Sequence, residues 1–277
     1  MPRVSTTTDL WHHYGRTRAG RDRAVPRTFH WIWSQDGGPG PEVLGDLTGA
    51  VVGDLGAGAA WHAACLAARH TPARVDAVDA SPAQYARAAD LFGHLAPRLR
   101  IVRSDAVRHL RDTAGTYDVL YSVFGAVDFT DPRALLPAAA IALRPGGRLV
   151  FSTLAHYLGG APAEPDVVPA GIPARTPDGE AATLRRWVLR EHVWTKVLDD
   201  SGFTRISTDL LPPTADGRRS AATLLVQAVV RDRPPPRGHP HPDPALAKPA
   251  KGPEPRPLAG GSDHGPGSAG AACPPRA

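Results

Sequence analysis

Between residues 50 and 155 the chain alternates short apolar runs with longer Ala/Leu-rich stretches. Val51-Val52-Gly53-Asp54-Leu55 is apolar, short and followed by glycine, the pattern of a buried strand. Trp61–Arg69 predicts a helix. Arg74–Asp79 predicts a second strand, followed by a helix from Pro82 to about Phe92, with the proline suited to its first turn. Runs at 100–103 and 117–122 predict the third and fourth strands. A helix is expected over 132–143, broken by Pro145-Gly146-Gly147, and a fifth strand over 148–152. Strands separated by helices of this length specify a parallel sheet with right-handed crossovers.

Beyond residue 155 the pattern changes. Residues 156–180 are rich in Pro, Gly and Ala and predict a loop, 184–189 a short strand, and 190–201 a helix ended by Gly202. Residues 204–210 and 223–230 predict two closing strands. At the other end, 8–18 predicts a short helix carrying Trp11, His12, His13 and Tyr14. From Asp232 onward thirteen of the 30 prolines fall in a segment without apolar periodicity, which cannot offset its ordering entropy and predicts a disordered tail. The expected organisation is an N-terminal arm and cap over 1–40, one α/β domain over 41–231, and the tail over 232–277.

Charge refines this picture. The formal net charge of +5 sits at the two ends, in six arginines within residues 1–30 and six Lys/Arg after 231, leaving the body about neutral. A basic stripe for nucleic acid is therefore not expected in the body. Two cysteines, Cys65 and Cys273, form no disulfide framework and suit a reducing compartment. The first residues lack an apolar signal core, and no run approaches the length of a membrane span, so a cytoplasmic chain without membrane contact is expected. His239 and His241 lie in a solvated Pro-rich stretch, and no metal site is expected.

The chemistry concentrates at the end of the first strand, in Asp54-Leu55-Gly56-Ala57-Gly58-Ala59-Ala60. Glycines at a strand-to-helix turn let the backbone approach a ligand closely. A nicotinamide site is disfavoured on two counts. The third position of the dinucleotide fingerprint would be Trp61, whose indole does not permit close helix–strand packing. Asp54, two positions before Gly56, would repel a pyrophosphate and attract an ammonium. Asp79 ends the second strand, where a carboxylate can accept both hydroxyls of a ribose. Asp105 follows the third strand, where it can accept from an adenine amino group. An amine, a ribose and an adenine without phosphate describe S-adenosylmethionine.

The segments VVGDLGAGAA, RVDAVDAS, IVRSDA, YDVLYSVFGA and LRPGGRLVFS resemble the successive motifs of class I S-adenosylmethionine-dependent methyltransferases, over about residues 45–155. The chain is similar in particular to actinobacterial small-molecule methyltransferases. The resemblance implies a doubly wound, Rossmann-like, seven-stranded sheet, mostly parallel, whose last strand is antiparallel. It implies that Asp54 and Gly56 hold the methionine end, that Asp79 holds the ribose, that Asp105 and Ala106 frame the adenine, and that Ser122 lies beneath the methionine moiety. Gly58 and Ala80 complete the expected cofactor set. Ala60 departs from the family, which usually has a third glycine there.

The expected reaction is methyl transfer to an O, N or C atom of a small molecule, in specialised metabolism. Ser122-Val123-Phe124-Gly125 lacks the N/D-P-P-Y/F motif of amino-methylating DNA and protein-glutamine enzymes. The acceptor pocket is expected under the N-terminal helix and the 156–190 insertion, with Tyr14, His30, Trp31, Phe124 and Tyr157 as acceptor or lid candidates. His156, just past the fifth strand, is the candidate general base, because an imidazole titrates near neutrality. The competing functions are a noncatalytic cofactor-binding partner of the same fold and a nicotinamide-dependent oxidoreductase.

Overall fold

The computed structural model describes Trp11 and residues 24–176, 179–214 and 220–231. The rest of the predicted N-terminal helix, Tyr14 included, and the tail from 232 lie outside these residues.

The strands are β1 (Val51–Leu55), β2 (Arg74–Asp79), β3 (Leu99–Arg103), β4 (Tyr117–Val123), β5 (Leu143–Leu154), β6 (Ala170–Arg175), β7 (Ala181–Arg186), β8 (Phe203–Leu211) and β9 (Thr223–Val230). The α-helices are α1 (Trp61–Arg69), α2 (Pro82–Phe92), α3 (Ala106–Asp112), α4 (Ala126–Phe129), α5 (Pro132–Ala142) and α6 (Glu191–Asp200). Seven strands form one sheet in the order β3-β2-β1-β4-β5-β9-β8. β1 to β5 pair in parallel, and β9 runs antiparallel to both β5 and β8. This is the doubly wound sheet that the alternation of elements predicts, with the last strand reversed.

Both faces of the sheet are covered, as parallel sheets require. Side chains alternate between the faces along each strand. Leu55, Leu120, Leu149 and Phe151 enter one apolar cluster, packed against α5 and α6 through Leu136 and Trp194. Val52, Tyr121 and Val150 enter the other, packed against α1 through Leu66 and against Trp31. Residues 24–40 therefore supply core as well as chain: Phe29 and Trp31 are buried in that second cluster, and the Trp31 indole donates to the Gly40 carbonyl at 2.8 Å.

Local signals position the helices. Ser81 caps α2, accepting from the Gln84 N–H, and Pro82 stands in its first turn. Asp131 caps α5 by accepting from Arg133, and Gly202, at φ +93°, follows the end of α6.

Two expectations need correction. Pro145-Gly146-Gly147 does not separate helix from strand, because β5 already begins at Leu143. The register steps from Tyr117 opposite Leu143 to Val119 opposite Arg148, so the turn-forming residues make an irregularity within the pairing. Residues 156–180 are also not all loop, and the strand expected over 184–189 lies at Ala181–Arg186. β6 and β7 pair as a separate antiparallel ribbon, and β7 ends at Arg186, so Trp187, Val188 and Leu189 are buried beyond the strand.

Candidate functional site

A cavity of ≈ 500 Å3 opens at the carboxyl ends of β1 to β4. In an open α/β sheet this crevice is where ligands bind. Gly56, Gly58, Asp79, Ala80, Asp105, Ala106 and Phe124 all line it.

The β1 turn is built from positive φ angles, +79° at Gly56, +55° at Gly58 and +61° at Ala60. The two glycines serve different ends. A Cβ on Gly56 would sit 2.2 Å from the Ala126 nitrogen, so Gly56 lets the β1 turn press against the start of α4. Gly125 faces it, and a Cβ there would lie 2.5 Å from the Leu55 carbonyl oxygen. By contrast, nothing lies within 4 Å of a Cβ built on Gly58, which leaves its backbone open to the cavity. Ala60, where the resembled family has glycine, keeps the left-handed conformation with its methyl fully buried.

Asp79 is tied to this turn. One carboxylate oxygen accepts from the Gly58 N–H at 2.8 Å and the other from the Ser81 N–H at 2.8 Å. Burial pushes its carboxyl up, and those two N–H groups oppose the shift. Asp105 caps α3, accepting from the Arg108 N–H at 3.0 Å.

Other expected residues lie behind the wall. Asp54 is buried, where it accepts from the Tyr121 hydroxyl at 2.9 Å. Burial pushes its carboxyl up to about 7; the Tyr121 hydroxyl and Ala63 N–H pull it down, while the charge of Asp79 adds to the rise. Ser122 is fully buried, donating to the Leu55 carbonyl at 2.8 Å and accepting from the Val127 N–H. It braces the contact between the two turns from below. Trp31 is core, and the ring of His30 meets the Gly38 carbonyl. Tyr157 donates to Glu164 at 3.1 Å.

His156 does not reach the cavity wall. One ring nitrogen meets the Tyr157 carbonyl at 3.0 Å, and the Ala222 N–H points at the other at 3.2 Å. An Nε2 lone pair engaged by a backbone donor is not poised to take a substrate proton. The expectation of a base at this position is corrected on that ground.

The sequence reading missed most of the opposite wall. Trp11, Phe129, Thr130, Asp131, Arg185 and Trp187 also line the cavity. Trp11 meets the Phe129 ring edge-on, with centroids 4.6 Å apart. Behind Phe129 stands Arg186, its guanidinium 5.3 Å from that ring and 5.2 Å from Trp33. Arg186 is buried and paired with Asp128, Nε to Oδ2 being 3.0 Å, and the Trp187 N–H donates to the Asp128 carbonyl at 2.8 Å. Burial pushes the Asp128 carboxyl up, and the charge of Arg186 opposes it. This pair fastens the β6–β7 ribbon to α4. Among the described residues no group of His, Cys, Asp and Glu has the arrangement of a metal site.

Comparison with known proteins agrees with this fold. Residues 52–147 match the family model described as a methyltransferase domain. Among solved structures the chain is similar to an S-adenosylmethionine-dependent methyltransferase from Mesorhizobium loti, at 23% identity over 68% of this chain and 94% of that one, with a TM-score of 0.52. It is similar also to the DhpI–SAH complex, at 17% identity over 83% of this chain and 100% of that one, with a TM-score of 0.52. A third is phosphoethanolamine N-methyltransferase 2 of Haemonchus contortus, at 14% identity over 69% of this chain and 51% of that one, with a TM-score of 0.51. At these identities the likeness to the solved structures is one of fold. No curated protein sequence matches the chain. Residues 52–147 are thus a methyltransferase domain, and the sheet has the Rossmann-like fold of the S-adenosylmethionine-dependent methyltransferases to which the chain is similar.

Proposed function

We propose that this enzyme methylates an O, N or C atom of a small molecule of specialised metabolism, as the actinobacterial enzymes it resembles would imply. The observation that carries the reading is a single cavity with two kinds of wall. On the β1–β3 side are Gly58, Asp79, Asp105 and Ala106, and on the other are Trp11, Phe124, Phe129 and Trp187. The first wall fits a nucleoside. Each Asp79 oxygen accepts one backbone N–H and keeps a further lone pair for a ribose hydroxyl. The open space over Gly58 admits a ligand against the backbone. The acids of this wall also suit a donor that carries positive charge.

S-adenosylmethionine supplies, when bound, a methyl group already activated on a sulfonium. The task left to the chain is orientation, and the gain comes from holding two reactants in line. Asp79 and the glycine turn hold the donor, Asp105 and Ala106 frame its base, and the aromatic wall places the acceptor. Asp54 and Ser122 act one layer down, fixing the turn that does the holding. We assign no proton transfer to His156. We place nucleic acid and membranes outside its partners and the enzyme in the cytoplasm; among the described residues no helix is long and apolar enough to cross a membrane.

Incubation with methyl-labelled S-adenosylmethionine and a small-metabolite extract tests the reading. Label appearing in a small product supports it. Tight binding of S-adenosylhomocysteine with no transfer to any small molecule would instead point to a noncatalytic partner of the same fold.

A further inference from the structure

Two adjacent arginines at the end of β7 have opposite surroundings. The strand's twofold alternation sends Arg186 into the protein, where Asp128 and the rings of Trp33 and Phe129 satisfy it. Arg185 falls on the other face, with Trp187, and both line the cavity. Arg185 is exposed, and among the described residues its side chain has neither an ion pair nor a hydrogen bond.

The ionisable side chains on this wall and its surroundings divide by sign. The acids lining the cavity are Asp79, Asp105 and Asp131, and each already accepts backbone N–H groups, from Gly58 and Ser81, from Arg108 and from Arg133. Arg185 is the one basic side chain among the described lining residues. Net positive charge on the donor suits the acids and is opposed by a guanidinium, so Arg185 serves the other reactant. A guanidinium recognises a carboxylate through two parallel hydrogen bonds. The same cavity is lined by the flat rings of Trp11, Phe124, Phe129 and Trp187, which favour a flat ligand.

We propose that Arg185 is a specificity-determining residue that binds a carboxylate on the methyl acceptor, and that the acceptor is a planar aromatic acid. This rests on the methyltransferase reading above and extends it to the substrate class.

The test uses the full chain saturated with S-adenosylhomocysteine. The probes are 2-, 3- and 4-hydroxybenzoate and the three matching hydroxybenzamides, titrated calorimetrically. The amides keep the ring and lose the charge. Wild type is expected to bind at least one acid about tenfold or more tightly than its amide, the scale of a charge-assisted pair. Arg185→Gln is expected to abolish that ratio while leaving affinity for S-adenosylhomocysteine within about twofold. Equal binding of every acid and its amide by wild type, binding of none of them, or a ratio that survives Arg185→Gln would each overturn the proposal. So would a loss of S-adenosylhomocysteine affinity in Arg185→Gln, because it would place the guanidinium on the donor's own carboxylate. Failure of wild type to bind S-adenosylhomocysteine strikes the donor reading itself, and is seen before any acid is added.

Discussion

An oxygen of the Asp79 carboxylate accepts the Gly58 N–H at 2.8 Å, so the acid that ends β2 and the second glycine of the β1 turn act as one unit. The bond spans 21 residues of sequence and closes the floor of the cavity. It also orients the carboxylate, since its other oxygen is held by Ser81.

Asp79→Ala is expected to weaken S-adenosylhomocysteine binding by one to two orders of magnitude. Two charge-assisted hydrogen bonds to a ribose, partly replaced by water, are worth roughly 1.5–3 kcal/mol. Calorimetric titration measures it, and an unchanged affinity would remove Asp79 from the site.

The two glycines of the turn are expected to respond differently to alanine. Gly56→Ala puts a methyl 2.2 Å from the Ala126 nitrogen, a backbone atom, and should leave little folded protein. Gly58→Ala meets open space and costs about 1–2 kcal/mol from its positive φ. Its methyl would protrude into the cavity and weaken S-adenosylhomocysteine binding more than it weakens the fold. Urea unfolding and ligand titration on both variants separate the two effects.

Asp54 predicts a pH dependence of stability. Its carboxyl is raised from 3.8 to about 7 by burial. Below 3.8 the folded and unfolded chains are both protonated, and the contribution is fully present. As pH rises toward 7 the unfolded chain has lost the proton that the folded chain keeps, so stability falls across this window and no further above it. Asp54→Asn cannot ionise and should lose less stability than wild type between pH 5 and pH 8. Urea unfolding at the two pH values checks this; equal losses would mean that Asp54 titrates normally.

The Asp128–Arg186 pair is expected to matter most when half of it is removed. Arg186→Met leaves a buried carboxylate unpaired, at a cost of about 3–5 kcal/mol. Adding Asp128→Asn to that variant should recover part of the loss, so the double variant is more stable than additivity allows. Unfolding free energies of the four proteins form the cycle, and strict additivity would show that the pair does not couple.

Most of the sheet was legible from the chain alone. The bounds of β1, β2, β9, α1 and α2 follow directly from apolar runs, a proline at a first turn and glycines at the ends. The donor wall was legible for a related reason. In a parallel sheet every carboxyl end lies on the same edge, so Gly58, Asp79 and Asp105 converge wherever three successive strands end. Depth within that edge was not legible. Asp54 and Ser122 stand at the same strand ends, yet Tyr121 and the Leu55 carbonyl draw their side chains inward.

The acceptor wall was decided by tertiary structure. Trp11, Phe129, Arg185 and Trp187 come from segments with no periodic relation to one another, and a buried ion pair 58 residues apart in sequence brings two of those segments together. His156 shows the same limit in reverse. Its distance from β5 placed it at the cavity, but Ala222, 66 residues later, supplies the N–H that occupies its ring nitrogen. Periodicity reports which face a residue turns to the core. Which distant backbone group competes for its lone pairs depends on how β5 and β9 pair, and that is set only when the whole sheet packs.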